Sequence, residues 1–326
     1  MYNGIFEIGE HKYNGSSFCC RSFILDKNKP IVVSFQYAQN IPSVSDFDNN
    51  KDNIFGFNFL KHNSINVISF SPLERNNWYR DERIIDFLKN IVVFVNEFPV
   101  RCGYGSSMGG VAIGTFSTLL NLDKILLLNP ISTLDKARAP FESRFNSSQS
   151  AWKGDYSDAS QSTADGFIIY DPLCKEDKLH AKRFKGNLTL LPLVGAGHNV
   201  PKLLLDMKVI KELVLTFIST GKIKVDMKKR RECVFYYNNL LNNKKLTNSR
   251  ARVLNAHKAL LEHKVNSKYV YSYTNKQLYE LEQSSIKLAS VGEYRLAVNI
   301  MKHLVKIKPI SKRYKSLFRS WSNQLL

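Results

Sequence analysis

The chain has 326 residues, of which 44% are apolar and 23% charged. That is too hydrophobic for a disordered chain and long enough for two domains. No apolar run reaches the roughly 18 residues that cross a bilayer, and the opening MYNGIFEIGE lacks the basic and apolar regions of a signal peptide, so the expected compartment is the cytoplasm. The net charge of +19 is unevenly placed: residues 1–220 carry 24 Lys and Arg against 22 Asp and Glu, residues 221–326 carry 23 against 6. This shift sets the expected organisation, a near-neutral domain over 1–220 and a basic domain over 221–326, with Gly221 as the C-cap of the helix that closes the first.

In chain order, segments 5–8 and 17–25 are expected to pair as an antiparallel hairpin at a sheet edge. Strand-length apolar runs follow at 31–35, 65–70, 100–104, 125–128, 167–170 and 188–191. Continuous Val, Ile and Leu runs of this kind suit strands buried on both faces of a parallel sheet. Helical patterns at 81–96, 110–120, 178–184 and 202–218 alternate with them, which predicts a doubly wound α/β sheet. Segment 134–166 has no regular pattern and reads as an irregular insertion, either a lid or a long surface loop. Beyond 222 the chain reads as helix at 233–241, 249–265, 274–290, 293–306 and 311–325, a small all-α domain. Cys19, Cys20, Cys102, Cys174 and Cys233 are odd in number and scattered, with no CxxC pair, which indicates reduced thiols and neither a disulfide framework nor a zinc site.

The chemistry concentrates after the strand at 100–104. Gly105-Ser106-Ser107-Met108-Gly109 matches G-x-S-x-G and runs directly into a helical segment. A nucleophile there needs a very tight strand-to-helix turn, and glycines two before and two after Ser107 remove the side chains that would collide. The helix that follows aims its first amides, Met108 among them, at any anion formed beside Ser107. A serine hydroxyl needs a base. Of the seven histidines, His198 in the Gly-rich loop GAGHNVP just after the strand at 188–191 is best placed to supply it, whereas His180 on a predicted helix reads as an ordinary surface or half-buried histidine. A carboxylate must then fix the tautomer of His198. Asp177 is favoured because a loop residue beyond the strand at 167–170 reaches further; Asp171, at the strand end, is the alternative, and Glu176 is a third. Asp177 has a competing role as a helix N-cap, and Asp171 one in ordering the turn at Pro172.

Ser107 in GSSMGG, an acid after the strand at 167–170 and His198 in GAGHNVP, in that chain order, resemble the α/β-hydrolase superfamily over about residues 20–220. The resemblance implies an eight-stranded, mostly parallel sheet and an acyl-serine mechanism with no metal or organic cofactor. It also implies an oxyanion hole formed by the Met108 amide and a second amide just after the strand at 31–35, at Gln36 or Tyr37. The lipase-type HGGG is missing there. Trp78 and Tyr79 are expected either to line an acyl or sugar pocket or to pack in the core.

The expected activity is hydrolysis of an acyl or carbohydrate ester. Acyl transfer to an alcohol such as a surface glycan uses the same residues, and a scaffold that keeps the fold without turnover is the reading from a different class. In the tail, Leu288 to Ala297 followed by Pro309 resembles half of a tetratricopeptide repeat. Basic clusters at 228–231, 244–245 and 312–315 suit an anionic membrane surface, an acidic polysaccharide or a protein partner, with nucleic acid less favoured for want of a recognised motif, or else a plain solvated surface.

Overall fold

The structure is a computed structural model that describes residues 6–74, 76–145, 152, 154–172, 174–193, 196–223 and 275–325. The expected helices at 233–241 and 249–265, the clusters at 228–231 and 244–245, and Cys233 lie outside them.

Eight strands form one sheet in the order β1-β2-β4-β3-β5-β6-β7-β8. They are β1 (Gly9–Asn14), β2 (Phe18–Ile24), β3 (Ile31–Phe35), β4 (Asn66–Pro72), β5 (Arg101–Ser106), β6 (Lys124–Leu128), β7 (Asp165–Tyr170) and β8 (Leu188–Pro192). β2 runs antiparallel to both its neighbours, and every other pairing is parallel. The central strands β3 and β4 are buried at every position; their Val, Ile and Phe side chains fill the core, and the buried hydroxyls of Ser34 and Ser69 bond each other at 2.7 Å. The edge strand β1 alternates between half-buried and exposed. Here the structure corrects the expectation: the hairpin is made by Gly9–Asn14 and not by 5–8, because an edge strand with one wet face carries polar residues such as Glu10 and Lys12 that hide it from an apolar search.

Helices α3 (Glu82–Val95) and α4 (Met108–Phe116) fall where expected, and two short helices, α1 (Val44–Asp48) and α2 (Phe57–His62), were not foreseen. Asp81 caps α3 by accepting from the Arg83 amide. α5 covers Lys175–Arg183, three residues earlier than predicted. The single helix expected at 202–218 is two, α6 (Val200–Asp206) and α7 (Ile210–Thr220), with Lys208 between them in the left-handed region at φ 59°. Gly221, at φ 68°, caps α7 with its amide on the Phe217 carbonyl.

Segment 134–166 is no plain surface loop. Its described part holds buried Leu134, Ala139, Glu142, Trp152 and Asp158, and a short 3-10 turn at Ala159–Gln161.

The described residues fall into two compact units, one built on the sheet and one holding the helices beyond 274 together with residues 196–197 and 202–208, so most of α6 is counted with the second unit. The second contains α8 (Asn275–Ser290), α9 (Tyr294–Ile307) and α10 (Lys312–Ser322), which pack in sequence around Leu281, Ile300, Met301 and Leu304. Among the described residues no helix is long and apolar enough to cross a membrane.

Candidate active site

The turn from β5 into α4 leaves no room for side chains on either flank of Ser107. Ser107 stands at φ 51° and ψ −115°, a backbone conformation that costs a non-glycine residue about 1–3 kcal/mol and persists only where its surroundings impose it. Those surroundings are visible. The Ser107 amide donates to the Leu128 carbonyl on β6, and the Val111 amide closes the first helical turn onto the Ser107 carbonyl. The two flanking glycines are required by contact: a Cβ on Gly105 would lie 2.5 Å from the Gly109 carbonyl oxygen, and one on Gly109 would lie 2.1 Å from that of Phe35. Side chains at either position would push α4 off the sheet.

His198 reaches this turn from the loop after β8. Its Nε2 lies 2.8 Å from Ser107 Oγ, and its Nδ1 lies 2.8 Å from each carboxylate oxygen of Asp177. An Nδ1–H donated to the carboxylate leaves the Nε2 lone pair to accept the serine proton. Asp177 is fully buried and sits in the first turn of α5, whose N-cap is Cys174, so the capping role considered for it falls away. Asp171 is also buried, at the end of β7, but the structure brings Asp177 to His198. Glu176 is nearly buried beside it on α5.

The acid is held by residues that no sequence pattern marked. Arg144 donates from one terminal nitrogen to Asp177 at 2.7 Å and from its other nitrogens to Glu142 at 2.6 to 3.1 Å. Glu142 in turn accepts from His180 Nε2 at 2.9 Å, and His180 Nδ1 takes the Ser132 amide at 3.1 Å. His180 is therefore no surface or half-buried histidine but a fully buried partner of the site's support, which burial allows because both ring nitrogens are hydrogen-bonded. Asn129, just past β6, contacts the His198 ring and carbonyl, each at 3.4 Å. Burial by itself would raise the Asp177 carboxyl, but His198 and Arg144 outweigh it and hold the group below its ordinary value. Glu142 follows the same logic, with burial overcome by His180 and Arg144. Burial lowers His180 and keeps it neutral.

These shifts have one sign. Carboxyls depressed in the folded state contribute stability that is present above their ordinary range near pH 4 and lost as pH falls from there toward their lower folded-state values, and the contribution of a buried histidine whose charging is opposed is lost as pH falls below about 6.5. Replacing Glu142 with Gln is expected to cost about 3–5 kcal/mol near pH 7, since it leaves Arg144 half paired. Below about pH 4 the further loss of stability is expected to be smaller in this variant than in wild type, because the carboxyl that is protonated there is gone. Urea unfolding at about pH 7, about pH 4 and about pH 2.5 measures both; an unchanged midpoint at neutral pH would show that the Arg144 pair carries no weight.

Of the two candidates for the second oxyanion donor, Gln36 is excluded because its amide is already given to the Phe70 carbonyl at 2.8 Å. Its side chain is used as well, accepting from the Phe55 amide and donating to Gln39. Tyr37 follows it beside the N-terminus of α4, and among the described residues neither its amide nor that of Met108 is paired to a backbone carbonyl. Trp78 and Tyr79 are 2% and 1% exposed, at φ 51° and 58°, so they are core residues behind the site and not its lining. The Tyr79 hydroxyl donates to the Gln36 carbonyl at 2.9 Å and thereby fixes the chain that carries Tyr37. Trp78 packs edge-on against Phe145 and Trp152, and Phe145 lies 6.2 Å from the His198 ring.

A sheet of this order with one reversed strand, a strained serine after β5, a carboxylate after β7 and a histidine after β8 is the α/β-hydrolase fold. No protein-family model and no curated protein sequence matches the chain. Among solved structures it is similar to the capsule O-acetyltransferase of Neisseria meningitidis serogroup A, at 13% identity over 67% of this chain and 98% of that one, with a TM-score of 0.43. Est1E from Butyrivibrio proteoclasticus matches at 13% identity over 65% of this chain and 100% of that one, with a TM-score of 0.42. A glycosylation associate protein complex from Streptococcus agalactiae matches at 16% identity over 68% of this chain and 49% of that one, with a TM-score of 0.44. Likeness at this level concerns the fold alone.

Proposed function

We propose that the chain is a serine esterase that cleaves an acyl or carbohydrate ester through Ser107, His198 and Asp177. The observation that carries this reading is the unbroken path from Ser107 Oγ to His198 Nε2 and from His198 Nδ1 to Asp177, each step 2.8 Å, at a serine held in a strained turn. His198 takes the hydroxyl proton as Ser107 Oγ bonds to the acyl carbon, and the carbonyl oxygen becomes an oxyanion facing the Met108 and Tyr37 amides. Collapse expels the alcohol, which leaves with the proton carried by His198. Water then attacks the acyl-serine, His198 takes its proton and returns it to Ser107 Oγ, and the free acid departs. Buried Asp177, kept ionised by Arg144, stabilises the imidazolium formed in both halves.

The His198 side chain is 27% exposed, which supports water as the acceptor. The test is turnover of short-chain nitrophenyl esters with and without an added sugar alcohol. Release of free acid at the same rate in both is expected. Transfer of the acyl group to the alcohol in preference to water would reassign the activity to acyl transfer, and no release of nitrophenol by folded protein would leave the fold as a scaffold.

A further inference from the structure

We propose that the turn joining α9 to α10, together with the polar face of α10, docks on an anionic lipid surface. From Tyr294 to the C-terminus the chain holds eight Lys and Arg and no Asp or Glu, and five of these cations lie within five residues of Ile310. Lys302, Lys306, Lys312, Lys315 and Arg319 are exposed, and Arg313 is paired with Glu282 on α8. Ile310 is 91% exposed and Ile307 37%. The turn is ordered. Ser311 caps α10 by accepting from the Tyr314 amide at 3.2 Å, and its own amide donates to the Lys308 carbonyl at 3.1 Å, so Ile310 is presented outward by fixed backbone.

The choice of partner follows from the pairing of charge with an exposed apolar side chain. A soluble polyanion such as an acidic polysaccharide attracts the lysines but offers nothing to Ile310. A bilayer with anionic headgroups offers both, because lysines settle in the headgroup layer while the isoleucine enters the acyl boundary. α10 adds charge to this surface through exposed Lys312, Lys315 and Arg319, while its Leu317, Phe318 and Trp321 are taken up by the helical core, which leaves Ile310 and Ile307 as the apolar contacts.

The test uses the full chain in co-sedimentation with phosphatidylcholine vesicles with and without phosphatidylglycerol, and heparin as the soluble polyanion. Wild type is expected to bind the vesicles that contain phosphatidylglycerol and not the neutral ones. Each lysine removed near such a surface weakens binding about fivefold, so the triple variant Lys306→Gln, Lys312→Gln, Lys315→Gln should bind about a hundredfold less tightly. Ile310→Ser, at a site too exposed to affect folding, should weaken vesicle binding by about tenfold and leave heparin binding unchanged. Vesicle binding by Ile310→Ser equal to wild type would overturn the proposal in favour of a soluble polyanion. Failure of wild type to bind anionic vesicles would overturn it outright.

Discussion

Alanine at Ser107 is expected to reduce ester turnover by about 10⁴-fold or more, to the background rate, and alanine at His198 to do the same. In the proposed mechanism the two side chains act as one device: without Oγ no acyl-enzyme can form, and without Nε2 at 2.8 Å the hydroxyl keeps its proton. The double variant should therefore be no slower than either single one. Neither change should disturb folding, since both side chains are partly exposed and Ser107 holds its place through backbone bonds that alanine retains. The two rates together are decisive. Substantial turnover by Ser107→Ala would locate the nucleophile elsewhere, and a double variant slower than the singles by the product of their losses would show that the pair is not coupled.

Asn at position 177 is the second large effect, about 10³- to 10⁴-fold in kcat. The amide nitrogen of Asn is a donor, so it favours the His198 tautomer whose Nε2 carries hydrogen and accepts nothing from Ser107. The same substitution leaves Arg144 without its bond to position 177, so a fall in stability should accompany the loss of rate. Asn at 171 changes an equally buried carboxylate that the structure does not bring to His198, and is expected to lower turnover by less than about tenfold. Thermal melting of both variants separates rate from folding. Equal turnover in Asp177→Asn and wild type, with Asp171→Asn inactive, would move the acid to the end of β7.

What was legible in the sequence was what is local. The elbow needs two glycines at fixed spacing and a strand-helix junction, and all of these lie within ten residues of Ser107. His198 could be found because a Gly-rich loop after the last strand is a short-range feature, and the buried strands because their Val, Ile, Leu and Phe residues cluster within a few positions. The support for the acid was not legible. Arg144 lies 33 residues from Asp177, and Glu142 38 from His180, and no periodicity links residues that meet only after the sheet has formed. The irregular composition of 134–166 concealed the segment that supplies them. The status of Gln36 was hidden in the same way, because whether its amide is free depends on the end of β4, which continues the ladder one residue beyond β3 through the Phe70 carbonyl. The split between α6 and α7 has no Gly or Pro signal at all; Lys208 takes the left-handed conformation that a pattern search assigns to other residues.

The most direct test of the account is intact-mass detection of covalent labelling by a fluorophosphonate on wild type, Ser107→Ala and His198→Ala, because this probe reports an activated serine without knowledge of the substrate. The account predicts one adduct on wild type and none on either variant. An unlabelled, well-folded wild type, or an adduct that persists on Ser107→Ala, would contradict it.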